Sequence, residues 1–241
     1  MKVVYAPKGA AREYSDLAVN LFMGCEHACK YCYAPMCLKK NREEYHKHFS
    51  IRKNIINFLQ KDLIEMNRNK DKRRVLMSFI SDPYQGDYIE NIVTQQAIEL
   101  FRAYDIRFQI LTKGGMKAAR DFFLYKKGDA FATTLTFINN EKSLYYEPGA
   151  ALPEDRIAAL KYAKRYSIET WVSLEPVIDP EETFKLIDLT YKFTDLYKVG
   201  KITKFDTGIK VDWKQFTLDV IKKLESLDKK YIIKDSLKKF L

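Results

Sequence analysis

Three cysteines near the beginning of the chain have a spacing that points to metal chemistry. Cys25, Cys29 and Cys32 follow a C-x3-C-x2-C pattern, and Tyr31 directly precedes the third cysteine. Thiolates are typical ligands of zinc and of iron–sulfur clusters. Because a [4Fe-4S] cluster normally takes four cysteine ligands, three from one loop would leave one iron open to another molecule. An open coordination position is typical of a reactive metal site rather than a structural one.

The same thiols could alternatively close a tetrahedral zinc site, with His27 or Cys37 supplying the fourth ligand. Zinc modules usually contain two separated pairs of ligands, whereas all four cysteines of this chain lie between positions 25 and 37. The spacing therefore favours an iron–sulfur cluster, and a zinc-stabilised nucleic-acid-binding module without catalysis remains an alternative. We expect His27, which lies between two cysteines, to shield the metal site rather than to bind the metal.

The composition indicates a folded enzyme-sized domain. The chain has 241 residues, of which 46% are hydrophobic and 14% aromatic, so it can bury a substantial core. No apolar run approaches the roughly 18 residues that a membrane span requires. The first residues lack the apolar stretch of a secretion signal, and the clustered cysteines do not form a disulfide framework. We therefore expect a cytoplasmic protein without a membrane segment.

The positive charge is concentrated at the two ends of the chain. The net charge is +10, with 16 Lys/Arg against 8 Asp/Glu in residues 1–74 and 11 against 6 in residues 201–241. Residues 75–200 carry 15 Lys/Arg against 18 Asp/Glu. Such a distribution could attract a nucleic acid or an acidic electron donor such as flavodoxin or ferredoxin. It is also compatible with an ordinary lysine-rich solvated surface.

Short apolar runs alternate with stretches whose apolar residues recur every three or four positions. This alternation is typical of parallel βαβ units. We predict strands at residues 17–22, 74–80, 106–112, 130–138, 168–174 and 196–199. We predict helices at residues 51–66 and 91–104, after residue 115 to about 125, from Pro153, from about 180 to 193, and from Trp213. The order favours an α/β fold, a partial (β/α)6 TIM-like barrel. Residues 1–241 would then form one domain, with a barrel core at about 17–200 and a basic extension at about 201–241.

Polar residues follow most of the predicted strands. In barrels of this kind the carboxyl ends of the strands carry the reactive groups. The residues concerned are Ser81, Asp82, Lys113, Thr134, Thr136, Ser173, Glu175, Lys198 and Gly200. A lysine can bind a carboxylate, and Asp or Glu can bind an ammonium group or ribose hydroxyls, so the set suits a zwitterionic ligand. The alternative is that each residue only caps local backbone.

The cysteine loop, with its aromatic residue before the third cysteine, resembles the defining motif of the radical S-adenosylmethionine (radical SAM) superfamily. Three further stretches are similar to its spore photoproduct lyase and DNA repair photolyase-like branch. They are Ser-Asp-Pro-Tyr-Gln at residues 81–85, Thr112-Lys113, and Glu-Pro-Gly-Ala at residues 147–150 followed by Pro153 and Arg156. The resemblance covers residues 17 to about 200, and it also implies the partial barrel.

The resemblance implies a [4Fe-4S] cluster whose open iron binds the amino and carboxylate groups of S-adenosylmethionine. In this family an electron from the reduced cluster cleaves the cofactor to a 5'-deoxyadenosyl radical, which takes a hydrogen atom from substrate. By the same resemblance, Tyr31 would lie against the adenine, while Ser81, Lys113 and Thr134 would contact the methionyl part. Tyr33 would relay a hydrogen atom or line the substrate space. A nucleic acid or nucleobase is the first substrate hypothesis, and a peptide, protein or small metabolite is the second.

One feature departs from the photoproduct lyase pattern. Those lyases have a hydrogen-donating cysteine near the end of the second strand, whereas residues 78–81 of this chain are Ser-Phe-Ile-Ser. Cys37 is close to the cysteine loop and is an alternative donor, although free cysteines commonly only pack. Glu147 and Arg156 are expected either to pair and fix the loop after the fourth strand or to contact substrate.

Overall fold

Runs of apolar and β-branched residues build a parallel sheet at the centre of the molecule. The computed structural model describes residues 1–86 and 88–241, without the side chains of residues 88–91. Within this part of the chain, seven parallel strands follow one another across a single sheet: β1 (Leu17–Val19), β4 (Val75–Met77), β5 (Phe108–Thr112), β6 (Ala130–Thr134), β7 (Glu169–Val177), β8 (Leu196–Lys201) and β9 (Lys230–Ile233). A separate antiparallel ribbon pairs β2 (Phe22–Met23) with β3 (Ser50–Ile51).

Helices connect the strands and cover the outer face of the sheet. They are α1 (Ala34–Leu38), α2 (Arg42–Lys47), α3 (Ile55–Arg68), α4 (Tyr88–Ala103), α5 (Asn140–Tyr146), α6 (Pro153–Arg165), α7 (Pro180–Thr190), α8 (Trp213–Ser226) and α9 (Asp235–Lys238), with 3₁₀ helices at Gly9–Glu13, Gly115–Leu124 and Tyr191–Phe193. Their apolar sides and the outward side chains of the strands form the main core. Of the described residues, none belongs to a helix that is both long and apolar enough to cross a bilayer.

The inner face of the sheet carries a second, smaller core. Ala18, Leu76, Ala130 and Ala132 surround the indole of Trp171, which is almost fully buried. Small side chains on several strands leave room for one large aromatic residue, and inward-pointing side chains fill barrel interiors in layers of this kind. The inner face of the sheet is therefore packed around Trp171.

The N-terminal segment, residues 1–16, joins the two sides of the open barrel. Tyr5 exchanges two backbone hydrogen bonds of 2.9 and 2.8 Å with Ala18 of β1. At the other side, the Glu13 carboxylate accepts a hydrogen bond of 2.7 Å from the N–H of Asp235, at the start of α9. The segment thus contacts the first strand of the sheet and the chain just after the last one.

The predicted partial (β/α)6 barrel is confirmed, since each predicted strand overlaps β1 or one of β4 to β8. The sequence prediction missed β9, which pairs in parallel with β8 through registers such as Lys198 with Ile232. Residues 201–241, predicted as a basic extension, therefore contribute a strand to the sheet. The strand was hard to predict because it is four residues long, begins with Lys230, and has a single fully buried residue, Ile233.

Several predicted boundaries were wrong. The first strand ends at Val19, and Phe22–Met23 forms the ribbon with Ser50–Ile51, so the helix predicted from residue 51 begins at Ile55. The strand predicted to reach residue 138 ends at Thr134, and α5 follows where no helix was predicted. β7 extends to Val177, so Glu175 lies inside the strand. The helix predicted at residues 91–104 corresponds to α4, although the side chain at its predicted start lies outside the described residues.

Candidate active site

A cavity of about 440 Å³ opens at the carboxyl ends of the strands. Parallel barrels carry their active sites at this end. Its wall contains most of the residues predicted for the site: Cys25, Cys29, Cys32, Tyr31, Tyr33, Ser81, Asp82, Lys113, Thr134, Ser173 and Glu175. Three other residues of the predicted strand-end set are not among the described residues that line the wall: Thr136, Lys198 and Gly200. The cysteine loop and the ends of β4 to β7 therefore share one space.

Helix α2 fixes the backbone of the cysteine loop. The Arg42 guanidinium donates hydrogen bonds to the carbonyl oxygens of Cys32, at 2.9 Å, and Cys29, at 2.5 Å, and also to that of Lys30. His46 Nδ1 lies 2.8 Å from the carbonyl oxygen of Cys25. The sequence alone had indicated no role for either side chain. Because all three cysteines have a carbonyl tied to α2, the helix holds the loop in one conformation.

The segment after β4 fixes the loop from a second side. The Gln85 side chain accepts a hydrogen bond of 3.0 Å from the N–H of Glu26 and donates one of 2.8 Å to Ser81 Oγ. The Ser81 hydroxyl in turn donates to the carbonyl oxygen of Gly24 at 3.0 Å. Gly24 has φ +83°, and a Cβ there would lie 2.2 Å from the carbonyl oxygen of His48. The position therefore requires glycine, and Ser81 supports the loop as well as lining the cavity.

The stretch at residues 147–150 packs against the cysteine loop at backbone distance. The N–H of Gly149 donates to the carbonyl oxygen of His27 at 3.0 Å. A Cβ on Gly149 would lie 2.1 Å from the carbonyl oxygen of Glu26, so no larger residue fits. The N–H of Lys30 donates to the carbonyl oxygen of Tyr146 at 2.8 Å. The stretch that is similar to the photolyase-like branch therefore supports the backbone of the cysteine loop.

Asp82 is a buried junction rather than a free carboxylate. It accepts hydrogen bonds from the N–H of Tyr84 (2.8 Å), the Thr112 hydroxyl (2.6 Å) and the N–H of Lys113 (2.8 Å). His27 Nδ1 lies 3.4 Å from its second oxygen. Burial is the largest effect on the pKa of His27 and holds it below its ordinary value, so the imidazole is neutral at pH 7. Asp82 thereby connects the ends of β4 and β5 to the cysteine loop.

A buried group of charges lies beside Tyr31. Glu147 and Arg156 form an ion pair of 2.7 Å and are almost fully buried, which confirms the predicted pairing. The Tyr31 hydroxyl donates to Glu147, and Lys113 Nζ lies 3.9 Å from the same carboxylate and 5.5 Å from the centre of the Tyr31 ring. Burial alone would raise the pKa of Glu147, but Arg156 and Lys113 hold it below its ordinary value. The carboxylate is therefore charged and orients both Tyr31 and Lys113.

Burial favours the neutral form of the three thiols. Burial raises the pKa of Cys29 to about 12, and burial likewise raises the pKa values of Cys25 and Cys32. Thiolates become stable in such surroundings when a cation binds them. In the described part of the chain, no three His, Cys, Asp or Glu side chains converge tightly enough to hold a metal ion. The three thiols therefore line the cavity wall, but they do not surround a single metal-ion position.

Tyr33 and Cys37 lie where the cavity meets the surface. The Tyr33 hydroxyl donates a hydrogen bond of 2.9 Å to the carbonyl oxygen of Phe79, and its side chain is 41% exposed. Cys37 is an exposed free thiol of α1 that also lines the cavity. Both side chains are accessible to a molecule that enters the cavity.

Ser173 and Glu175 have partners that were not predicted. The Tyr14 hydroxyl lies 2.7 Å from Ser173 Oγ and donates a second contact to Glu175. Lys234 forms an ion pair with Glu175 and lies 3.5 Å from Glu13. Tyr14 precedes the predicted barrel and Lys234 follows the missed strand. The strand-end rule would have identified Lys234 had the Tyr-Ile-Ile run before it been recognised as a strand.

Four lysines line another part of the cavity wall. They come from the N-terminal segment, from the end of β8 and the chain that follows it, and from the chain after β9: Lys8, Lys201, Lys204 and Lys234. Thr203, between two of them, is exposed and lines the cavity as well. The cavity wall therefore contains thiols in one part and lysines in another. Because Lys234 is paired with Glu175, the unpaired positive charge that the described residues place in this part of the wall comes from Lys8, Lys201 and Lys204, and it suits a ligand with negative charge.

Lys198 is buried on the inner face of the sheet. Its ammonium donates a hydrogen bond of 2.7 Å to the carbonyl oxygen of Tyr14 and lies 4.6 Å from the centre of the Trp171 ring system. Burial, together with the nearby charge of Lys234, lowers the pKa of Lys198 to about 8. Within the described part of the chain Lys198 is not in the cavity wall, so its contacts are structural.

Comparison with known proteins gives the family of the chain. Residues 19–194 match the model of the Radical SAM superfamily. An uncharacterised protein of Methanocaldococcus jannaschii is 31% identical over 185 residues, which cover 74% of this chain and 67% of that protein. An uncharacterised protein of Acidianus two-tailed virus is 25% identical over 215 residues, covering 83% of this chain and 69% of that protein.

Solved structures share the fold. A spore photoproduct lyase variant superposes with a TM-score of 0.75 and 14% identity, over 97% of this chain and 78% of that chain. Streptococcus suis SuiB bound to S-adenosylmethionine gives a TM-score of 0.65 at 12% identity, over 90% of this chain but only 46% of SuiB. Because the family model matches most of the chain, and the fold and the cysteine loop agree with it, the chain belongs to the radical SAM superfamily of enzymes.

Proposed function

We propose that this enzyme cleaves S-adenosylmethionine reductively at a [4Fe-4S] cluster and removes a hydrogen atom from a nucleic acid or a nucleobase. The observation that carries the proposal is the composition of the cavity wall. Three thiols from the C-x3-C-x2-C loop line one part, and the lysines at positions 8, 201, 204 and 234 line another. Superfamily members need an external one-electron donor, and flavodoxin or ferredoxin in a reducing cytoplasm is the donor we propose.

The residues present fit an iron–sulfur cluster. Cys25, Cys29 and Cys32 would hold it, because they line the same cavity and sit on a loop tied at each cysteine to α2. Their burial favours the neutral thiol until a cation binds, so metal binding and thiol deprotonation would be coupled. His27, neutral and 5% exposed, would shield the cluster from solvent.

The residues present also fit S-adenosylmethionine. Lys113 would bind its carboxylate, and Tyr31, held by Glu147, would lie against its adenine. Hydroxyl and carboxylate groups of Ser81, Asp82, Thr134, Ser173 and Glu175 line the same wall and are the proposed contacts for its ammonium and ribose hydroxyl groups. When bound, cluster and cofactor together supply the radical that abstracts hydrogen.

The chain itself would control access of water and position the substrate. Phe79, Ile80 and Leu111 give the cavity an apolar section, which limits side reactions of a radical with solvent. Tyr33 is the proposed catalytic residue, because it lines the cavity and is 41% exposed. Its proposed role is to relay a hydrogen atom or to line the substrate space.

Nucleic acid is supported as substrate by charge and by the photolyase-like motifs. A related solved structure is that of spore photoproduct lyase complexed with dinucleoside spore photoproduct, with a TM-score of 0.72 and 15% identity to this chain. The lysine-lined wall would neutralise phosphate groups. Photoproduct repair itself is not proposed, because residues 78–81 carry no cysteine. An acidic peptide, protein or small metabolite is the second candidate, since lysines also bind carboxylates.

Anaerobic turnover tests the proposal. The reconstituted enzyme would be incubated with S-adenosylmethionine, dithionite and either single-stranded DNA, single-stranded RNA or an acidic peptide, and 5'-deoxyadenosine would be measured. We expect faster release with a nucleic acid, and no release from the Cys29→Ala variant. Stimulation by the peptide alone would support the second candidate. A colourless protein with one zinc per chain would support the non-catalytic zinc module.

A further inference from the structure

Residues 34–53, which follow the cysteine loop, carry charge that the cavity does not use. The stretch contains six Lys/Arg and two Glu residues. Four of its lysines are exposed and, within the described residues, take part in no ion pair and lie outside the cavity wall: Lys39, Lys40, Lys47 and Lys53. We call these four lysines the basic surface. The stretch keeps a positive balance of six Lys/Arg against two Glu residues, so it would attract an acidic partner.

Apolar side chains lie next to the basic surface in the chain. Met36 is 53% exposed and Ile51 is 46% exposed. Cys37, one residue after Met36, is exposed as well. Apolar contacts bordered by charge are typical of protein interfaces, and redox encounters occupy the small, weak end of the range. This arrangement fits a protein partner better than a free nucleotide or metabolite.

The same stretch packs directly on the backbone of the cysteine loop. Arg42 contacts the carbonyl oxygens of Cys29 and Cys32, and the N–H of Cys25 donates to the carbonyl oxygen of Tyr45 at 3.2 Å. A protein bound to this stretch would thus lie on the segment that contacts the backbone of the cysteine loop. Electron transfer between proteins slows steeply with distance, so a reductant of this site must bind close to the cysteine loop.

We propose that the basic surface binds the acidic protein that delivers the electron, which rests on the proposed function above. The donor protein is oxidised by one electron, and that electron is consumed when one sulfonium carbon–sulfur bond of S-adenosylmethionine breaks. No proton is transferred in the step. Since the basic surface lies outside the cavity wall, the donor and the substrate would use different parts of the molecule.

Direct binding tests the proposal without turnover. The affinity of a flavodoxin for the reconstituted enzyme would be measured by isothermal titration calorimetry in low salt. We expect the Lys39→Glu/Lys40→Glu variant to bind about tenfold more weakly than the wild type. Lys126→Glu/Lys127→Glu is the matched control, because it changes the net charge equally on exposed lysines just before β6, at the other end of the barrel. The control should keep the wild-type affinity.

A kinetic comparison separates this proposal from the proposed function. Cleavage of S-adenosylmethionine by Lys39→Glu/Lys40→Glu should be about tenfold slower with reduced flavodoxin and unchanged with dithionite, a small reductant that needs no docking surface. Equal flavodoxin affinity in variant and wild type, or equal loss in the control, would overturn the docking proposal. A variant that loses affinity for single-stranded DNA and keeps it for flavodoxin would overturn it too. Absence of dithionite-driven cleavage in the wild type would instead contradict the proposed function and leave the binding result standing.

Discussion

At the scale of single residues, the site depends on buried charges that have partners. Glu147 is a fully buried carboxylate that contacts Arg156, Lys113 and the hydroxyl of Tyr31. A buried ion pair such as Glu147–Arg156 contributes little net stability compared with apolar side chains. Removing one partner is nevertheless strongly destabilising, because the other charge is then buried without a partner. The function of the pair here is to fix the positions of two proposed cofactor-binding residues.

Replacing Arg156 should therefore destabilise the fold strongly. Arg156→Met leaves the Glu147 charge buried without its main partner, and we expect the free energy of unfolding to fall by about 3–5 kcal/mol in urea titrations. Lys142→Met is the control, because Lys142 pairs with Asp179 near the surface and such pairs contribute less than about 1 kcal/mol. Equal losses in the two variants would contradict the assignment of a buried charge cluster.

Lys198 should make stability rise with pH above about 8. The folded pKa of about 8 lies below the ordinary value of 10.5, so between these values the unfolded chain binds more protons and higher pH favours the folded state. From pH 8 to 9.5 the wild type should gain about 1.6 kcal/mol of unfolding free energy relative to Lys198→Met, because one pKa unit corresponds to about 1.4 kcal/mol and Lys198 is half deprotonated at pH 8. Urea titrations of both proteins at the two pH values measure the difference. Parallel pH profiles would show that Lys198 is charged in the fold.

At the scale of elements, the cysteine loop is shaped by its neighbours more than by its own sequence. The motif predicted which residues bind metal, but Arg42, His46 and Gln85, which contact the loop, had no recognisable signal in the sequence. Single polar residues on a short helix and a turn are ordinary in composition, and only the fold shows what they contact. Gly24 is the clearest case, since its φ of +83° and the nearby His48 carbonyl exclude a side chain.

Gly24→Ala should consequently impair metal binding. A methyl group at that position would lie 2.2 Å from a backbone oxygen, so the loop must shift, and we expect less than half of the wild-type iron content after reconstitution. Gly208→Ala is the matched control, because Gly208 also has positive φ, at +68°, yet nothing lies within 4 Å of the added methyl group. Full iron content in Gly24→Ala would contradict the shape argued for the loop.

At the scale of the whole molecule, both ends of the chain return to the cavity. Lys8 comes from the segment before the barrel, Lys201 from the end of β8, Lys204 from the chain that follows it, and Lys234 from beyond β9. The alternation of strands and helices, the barrel class and the predicted site residues could be read from local patterns and motifs. The convergence of the two basic ends could not, because it depends on the pairing of β9 with β8 and on the contact of Glu13 with Asp235.

Binding of single-stranded DNA should therefore depend steeply on salt. Between 50 and 200 mM salt, the slope of log K against log salt should be about −0.7 per phosphate contacted, as measured by fluorescence anisotropy of a labelled oligonucleotide. Lys201→Ala/Lys204→Ala should make the slope shallower by about one, since at most two contacts are lost. Lys126→Ala/Lys127→Ala should leave it unchanged. A flat salt response in the wild type would argue against nucleic acid as substrate.

The most direct test of the account is whether the metal centre has a free position for S-adenosylmethionine. The anaerobically reconstituted, dithionite-reduced enzyme would be examined by electron paramagnetic resonance with and without S-adenosylmethionine, alongside iron analysis. We expect about four irons per chain, in keeping with a [4Fe-4S] cluster, and a cluster spectrum that changes when the cofactor is added. An identical spectrum with and without the cofactor, or a metal centre whose ligands all come from the protein, would contradict the account.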